Sequence, residues 1–175
     1  MALVLWRFWT YSFLGYLLEK AYAAAVSAEK QTRKNLLLLP LCPVYGLGAL
    51  AALALPPGSV GSLPGWALWG ALAATAVEYA VHWGYETLLG VRFWDYTGLP
   101  GNLRGRVCLP FSLAWWVLLL PLPGVDALLT LLLSAIPPPV TWAVLVLFTA
   151  DALAAGRILH ETGDTEALRW KNAEA

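Results

Sequence analysis

Four stretches of the chain are apolar for about 20 residues or more, the length an α-helix needs to cross a hydrocarbon core. They are Leu3–Val26, Leu36–Leu55, Pro64–Leu89 and Val140–Leu159, and a shorter fifth run, Val107–Leu120, lies between the last two. Pro121, Pro123 and Gly124 interrupt the apolar sequence after that short run. The segment Val125–Ile136 that follows is too short to span alone, so it reads as a kinked continuation of the fourth helix or as an interfacial piece that dips into the membrane. Pro137-Pro138-Pro139 ends it and starts the last helix. The expectation is an all-α polytopic membrane protein with five transmembrane helices over residues 1–160, and a short charged tail over 161–175.

Charge sets the orientation, because cytoplasmic connections carry Lys and Arg. The first connection holds Lys30, Arg33 and Lys34, the third Arg92, Arg104 and Arg106, and the tail Arg169 and Lys171. The second has no charge, and the fourth has only Asp126. This alternation predicts a multi-pass protein of the cell membrane, N-terminus outside and C-terminus cytoplasmic. Trp6, Trp9, Trp66, Trp69 and Trp142 fall near the expected outer ends, where an aromatic belt belongs. Ala21-Tyr22-Ala23 imitates a signal-peptidase site, but no charged side chain precedes the apolar run and Arg7 lies inside it, so the first helix is expected to be retained.

Composition agrees. Of 175 residues, 59% are hydrophobic and 13% charged, the formal net charge is zero, and mean hydropathy is +0.64. Soluble domains carry about 25% charged residues. A neutral chain is not a nucleic-acid binder working by bulk positive charge. Cys42 and Cys108 have no zinc-ligand spacing, so no metal and no cofactor are expected, and both thiols are expected reduced near the inner face.

The chemistry lies in ionisable residues placed where they are expensive. Glu19 is in the first helix, Glu78, His82 and Glu86 are in the third, and Asp151 is in the fifth. Glu78, His82 and Glu86 share a helical stripe with Thr75, and Ser12, Gly15, Glu19 and Tyr22 share one on the first helix. All the carboxylates fall in the cytoplasmic half, which predicts one polar pocket combining Glu19, Glu78 and Glu86 with Arg106. The plainer reading makes Glu19 and Glu86 interfacial carboxylates that snorkel, and His82 a core hydrogen-bonding residue. The third connection, Val91–Arg106, carries Trp94, Asp95, Tyr96, Asn102, Arg104 and Arg106. Asp95 and Asn102 are expected to cap the pocket, while the arginines pair with its carboxylates or hold a phosphate. Its plainer reading is a positive-inside loop with aromatics in the headgroup layer.

The ordered motifs Gly15-Tyr16-Leu17-Leu18-Glu19, Pro40-Leu41-Cys42-Pro43-Val44-Tyr45-Gly46, Glu78-Tyr79 with Glu86, Trp94-Asp95-Tyr96 and Asn102-Leu103-Arg104-Gly105-Arg106-Val107-Cys108 span about residues 12–116. In this set the chain resembles the small bacterial membrane proteins named "putative ABC-transporter permease, type IV" (CmpB-like). Asp151 falls where that family tends to carry an acidic residue. The chain departs from the family at Arg33-Lys34-Asn35-Leu36, where the family reads Asn-Arg-Gly-Phe. The resemblance implies a permease-like subunit working with a separate ATPase, since no G-x-x-x-x-G-K-[ST] loop is present. With five spans such a subunit would oligomerise to enclose a path. Two other classes stay open: an intramembrane lipid-binding protein or enzyme acting on a phospholipid headgroup, and a regulatory membrane subunit. No nucleophile motif marks an enzyme.

Overall fold

The computed structural model describes residues 1–25, 38–56, 58 and 60–168. The expectations placed on Lys30, Arg33, Lys34, Arg169 and Lys171 lie outside the described residues. The described chain is all-α. Its helices are α1 (Ala2–Ala25), α2 (Pro43–Leu53), α3 (Leu63–Gly84) with a π-helical turn at Tyr85–Leu89, α4 (Leu109–Leu119), α5 (Leu122–Leu133) and α6 (Pro138–Thr162). A 3₁₀ turn, Thr165–Leu168, follows.

Local chemistry sets these boundaries. Ser62 caps α3 by accepting the Gly65 amide at 3.2 Å. Prolines occupy the first turns of α2 through α6, where a missing N–H costs nothing. Gly163, in the left-handed region, closes α6 with its amide on the Leu159 carbonyl. α4 and α5 meet at a 55° bend. Pro121 supplies the cause: it lacks an amide hydrogen, and its ring crowds the carbonyl four residues back. The segment Val125–Ile136 is therefore the second limb of a bent pair, with helix through Leu133.

The second apolar stretch differs from expectation. Residues 38–42 are not helical; α2 begins only at Pro43 and, at 11 residues, is about 16 Å long, half a hydrocarbon core. Pro40 and Pro43 bracket an extended approach that no helix can continue through. The Cys42 amide donates to the Ser12 carbonyl at 2.9 Å, which places the start of α2 beside the middle of α1. The amides of Leu38 and Leu39 donate to the two carboxylate oxygens of Asp151, each at 2.9 Å. A buried acid on α6 thus supplies the hydrogen bonds that an interrupted helix lacks.

α2 packs between α1 and α3 through small residues. A Cβ at Gly15 would strike the Tyr45 ring, and one at Gly46 would strike Ser12 and the Phe8 carbonyl. Ala49, Ala52, Ala67, Ala71 and Ala74 close the α2–α3 face around Trp66 and Trp115. A second core joins Val91, Phe93, Trp94 and Tyr96 of the long connection to Ala155 and Leu159 of α6 and Leu168 of the tail. The tail is therefore packed as far as Leu168, which is 1% exposed.

Arg7 and Asp126, oppositely charged and distant in sequence, tie α5 to α1 by a two-pronged ion pair at 2.8 and 2.5 Å. Tyr11 and Thr130 complete that network. Among the described residues, α6 is the single helix both long and apolar enough to cross a membrane by itself, and only 17% of its apolar window is buried. The bent α4–α5 pair would make a second.

Gly46→Leu is expected to destabilise by about 1–3 kcal/mol or to prevent folding, because the added carbons meet backbone. Gly156→Ala, which enters open space on α6, is expected to be neutral or stabilising. Thermal unfolding of the two purified variants against the parent checks the contrast.

Candidate functional site

Glu19 lies on α1 and Glu78 on α3. Both line a cavity of about 40 Å³ whose walls include Tyr45, Trp94, Tyr96 and Trp115. Glu78 is 7% exposed. One of its oxygens accepts from the Tyr96 hydroxyl and the other from the Trp115 indole, both at 3.0 Å. The Tyr45 hydroxyl donates to Glu19 at 2.7 Å, and its ring lies 5.2 Å from that of Trp115. Burial pushes the Tyr96 phenol far above its ordinary range, and the Glu78 carboxylate beside it pushes the same way. Tyr96 is therefore a fixed neutral donor.

Of the residues singled out from the sequence, this cavity gathers Glu19, Glu78, Trp94 and Tyr96. Glu86 and Arg106 stand apart from it. Neither lines it, and eight residues, about 12 Å of helix, separate Glu78 from Glu86. Arg106 donates to Glu86 through Nη2 at 2.7 Å and Nε at 3.1 Å, and to the Tyr79 hydroxyl at 2.7 Å, with Arg92 on the other Glu86 oxygen. The motif Glu78-Tyr79 with Glu86 thus divides: the first acid faces the interior, and the other two residues hold Arg106.

His82 is a brace. Its Nε2–H donates to the Trp94 carbonyl at 2.9 Å, and its ring meets the Trp94 ring edge-on. The Trp94 indole donates to the Arg106 carbonyl at 2.9 Å. Asp95 and Asn102 do not cap the cavity; they fold the connection on itself. Asp95 accepts from the Thr97 amide and hydroxyl, which hold its carboxyl below the ordinary range. This contribution is present above the ordinary carboxylate pKa and fades as pH falls through the lowered one. Asn102 bridges the Leu99 carbonyl and the Gly105 amide. Asp151 is also remote from the cavity, occupied with Leu38 and Leu39.

Arg104 and Gly105 have φ of 54° and 70°, and the Arg106 amide donates to the Leu103 carbonyl, so Leu103–Arg106 is a tight hairpin turn. Glycine or asparagine suits the Arg104 position; an arginine there is strained and stands exposed at the tip. Sequence reasoning missed Tyr45, although it lies in a quoted motif. It also missed Trp115, which sits in an unbroken apolar run with no polar signal beside it.

Glu78→Gln is expected to leave the protein folded, within about 1 kcal/mol of the parent, because the Tyr96 hydroxyl can turn to accept from the new amide. Trp115→Phe removes a donor that nothing replaces and is expected to cost about 1–3 kcal/mol. Unfolding midpoints of both variants check this.

A profile of the family described as Putative ABC-transporter type IV, ABC_trans_CmpB, matches residues 6–155. Comparison with curated proteins and with solved structures found no match. The matched region takes in every helix from α1 to most of α6, and the chain belongs to this family.

Proposed function

We propose that the chain is a permease-like membrane subunit of an ABC-type transporter, with the Glu19–Glu78 cavity as its polar binding site. The family match over residues 6–155 carries this reading. The apolar side chains left exposed support it: Leu128, Leu131, Leu132, Val146, Leu147 and Leu153 are each more than 60% exposed. A water-soluble monomer does not leave so many large apolar side chains of two helices uncovered.

In this reading the chain crosses the cell membrane five times. α6 crosses unbroken, and α1 and α3, long enough but less apolar than α6, cross beside it with their polar side chains turned to neighbouring helices. The approach at 38–42 with α2 makes an interrupted crossing, and the bent α4–α5 pair makes another. Trp6, near the start of α1, donates to Thr141 near the start of α6, so these ends share one side. The long connection and the 3₁₀ turn share the opposite side through Leu168. With Arg92, Arg104 and Arg106 at that second side, it is the cytoplasmic one. The N-terminus is then outside and the C-terminus inside. The chain oligomerises to enclose a path.

A separate ATPase subunit docks on the hairpin that presents Arg104, flanked by exposed Leu99 and Leu103. Terminal reporters are expected to place the N-terminus outside and the C-terminus in the cytoplasm; a C-terminus active only outside overturns the topology. An ATPase subunit is expected to co-purify with the parent. Arg104→Glu should reduce its recovery by about tenfold or more, charge reversal at a contact being costly, while insertion stays intact. Arg104→Gly, which relieves the strained turn, separates loss of charge from loss of fold.

A further inference from the structure

A second cavity, an apolar groove of about 260 Å³, lies between α1 and the bent α4–α5 pair. Leu14 and Leu18 of α1 line it with Leu122 and Val125 of α5, and Ala49 of α2 is in its wall. The helix that covers one side of this groove is sparsely packed. Of the 12 residues of α5, Leu122 and Asp126 are the buried ones. Leu128, Leu131 and Leu132 are each more than 60% exposed.

The attachment of α5 changes character along its length. Leu122, Asp126 and Thr130 are four residues apart and share one helical stripe. Leu122, beside the Pro121 bend, packs in the apolar core, with Leu129 partly packed against it. One turn on, the contact is polar. Asp126 receives two bonds from Arg7 of α1 and a third from the Tyr11 hydroxyl at 3.0 Å, and Thr130 accepts from Arg7 at 3.0 Å. Tyr11 also lines the groove, and Arg7 lies one turn before it on α1, so this network stands at one end of the groove. We propose that α5 is a lid over the groove, hinged at Pro121 and latched to α1 by the Arg7–Asp126 pair.

Three features suit a lid rather than a fixed wall. The hinge is built in: at Pro121 the helical ladder is already interrupted, so α5 can swing without breaking the bonds of a continuous helix. The latch is releasable: the Arg7 side chain is 25% exposed, so on separation its charge does not stay buried and unpaired. The face that α5 turns to the groove is apolar, through Leu122 and Val125, so no polar contact there resists the movement. One ion pair therefore decides whether the groove is covered. The inference goes beyond the transport reading and needs neither an ATPase nor the Glu19–Glu78 cavity.

The test reads access to the groove by thiol labelling of the full-length protein in detergent micelles. Ala49→Cys puts a small thiol in the groove wall at a position that is 5% exposed. Reaction with N-ethylmaleimide is followed site by site by mass spectrometry. Cys42 and Cys108, both buried and neither among the groove's described lining residues, report general loosening in the same sample. In this background Asp126→Asn and Arg7→Gln are each expected to speed labelling at position 49 by at least about tenfold, the change in open population that loss of one charge-assisted contact gives. Labelling at Cys42 and Cys108 is expected to stay at the parent rate. The double variant should label no faster than the faster single, because each charge acts through the other.

Unchanged labelling at position 49 in both single variants overturns the inference. So does equal acceleration at Cys42 and Cys108, since the pair would then hold the whole fold and not a lid. A double variant whose acceleration is the product of the two singles removes the latch. Should a charge variant fail to fold, Tyr11→Phe and Thr130→Val each remove one hydrogen bond of the network and keep the ion pair. Each is expected to speed labelling at position 49 by about threefold, and no change in either overturns the inference. No ATPase and no membrane orientation enters these measurements. Faster labelling without an ATPase partner would support the lid and remove the permease reading alone, and a recovered ATPase with unchanged labelling would remove this inference alone.

Discussion

A carboxylate withdrawn from water must find hydrogen-bond donors, and the fold is arranged around how Glu78 finds them. One donor, Tyr96, belongs to the long connection after α3, and the other, Trp115, to α4. The same acid therefore positions a loop and a helix that the sequence separates by 19 residues. Tyr96 is reached because His82 holds the Trp94 carbonyl and Trp94 holds that of Arg106. The connection folds as a compact cap with its own apolar core. Without the acid, Tyr96 and Trp115 would have to bury their donors unpaired, which costs about as much as any single lost core contact.

The same accounting explains the interrupted second helix. In a low-polarity interior every backbone amide needs a partner within the protein. Where prolines stop α2 from starting earlier, Asp151 receives the amides of Leu38 and Leu39, and Ser12 contributes its carbonyl to Cys42. The break brings Tyr45 down to the level of Glu19, which a continuous helix from Leu36 would not require. The bend at Pro121 acts similarly on the other side. It swings α5 against α1, where Arg7 meets Asp126, and leaves the apolar groove between them. Both departures from regular helix thus shape the two cavities. Cys42 and Cys108, both buried and in no disulfide, stand just before the two helices whose starts are set this way.

The ion cluster at Glu86 has a different character. Arg106 is 11% exposed at its side chain and Arg92 59%, so one arginine is held by geometry and the other by a loose surface pairing. Arg106 also stacks over Tyr79, with its guanidinium carbon 5.0 Å from the ring centre. This fastens the root of the hairpin and leaves its tip, Arg104, outward. Structure and surface are divided between neighbouring arginines of one short segment.

Read by itself, the sequence determined the apolar segments, most of their limits and the Pro121 break, since helical periodicity is a local property of a chain; it expected Glu19, Glu78 and Glu86 with Arg106 in one pocket, and of these Glu19 and Glu78 line the same cavity. It also marked Val91–Arg106 as more than a plain turn. Partner choice was decided only by the tertiary structure. Arg106 chose Glu86 because about 12 Å of helix separates that acid from Glu78. Asp151 left the cavity for two backbone amides because prolines some 110 residues earlier had freed them. Asp95 and Asn102 turned inward on their own hairpin because two residues with positive φ closed it. Arg7 and Asp126, each read only as an isolated charge, became a pair once the bend at Pro121 carried α5 back to α1. Such pairings depend on where distant backbones come together, and no pattern along a single chain encodes that distance.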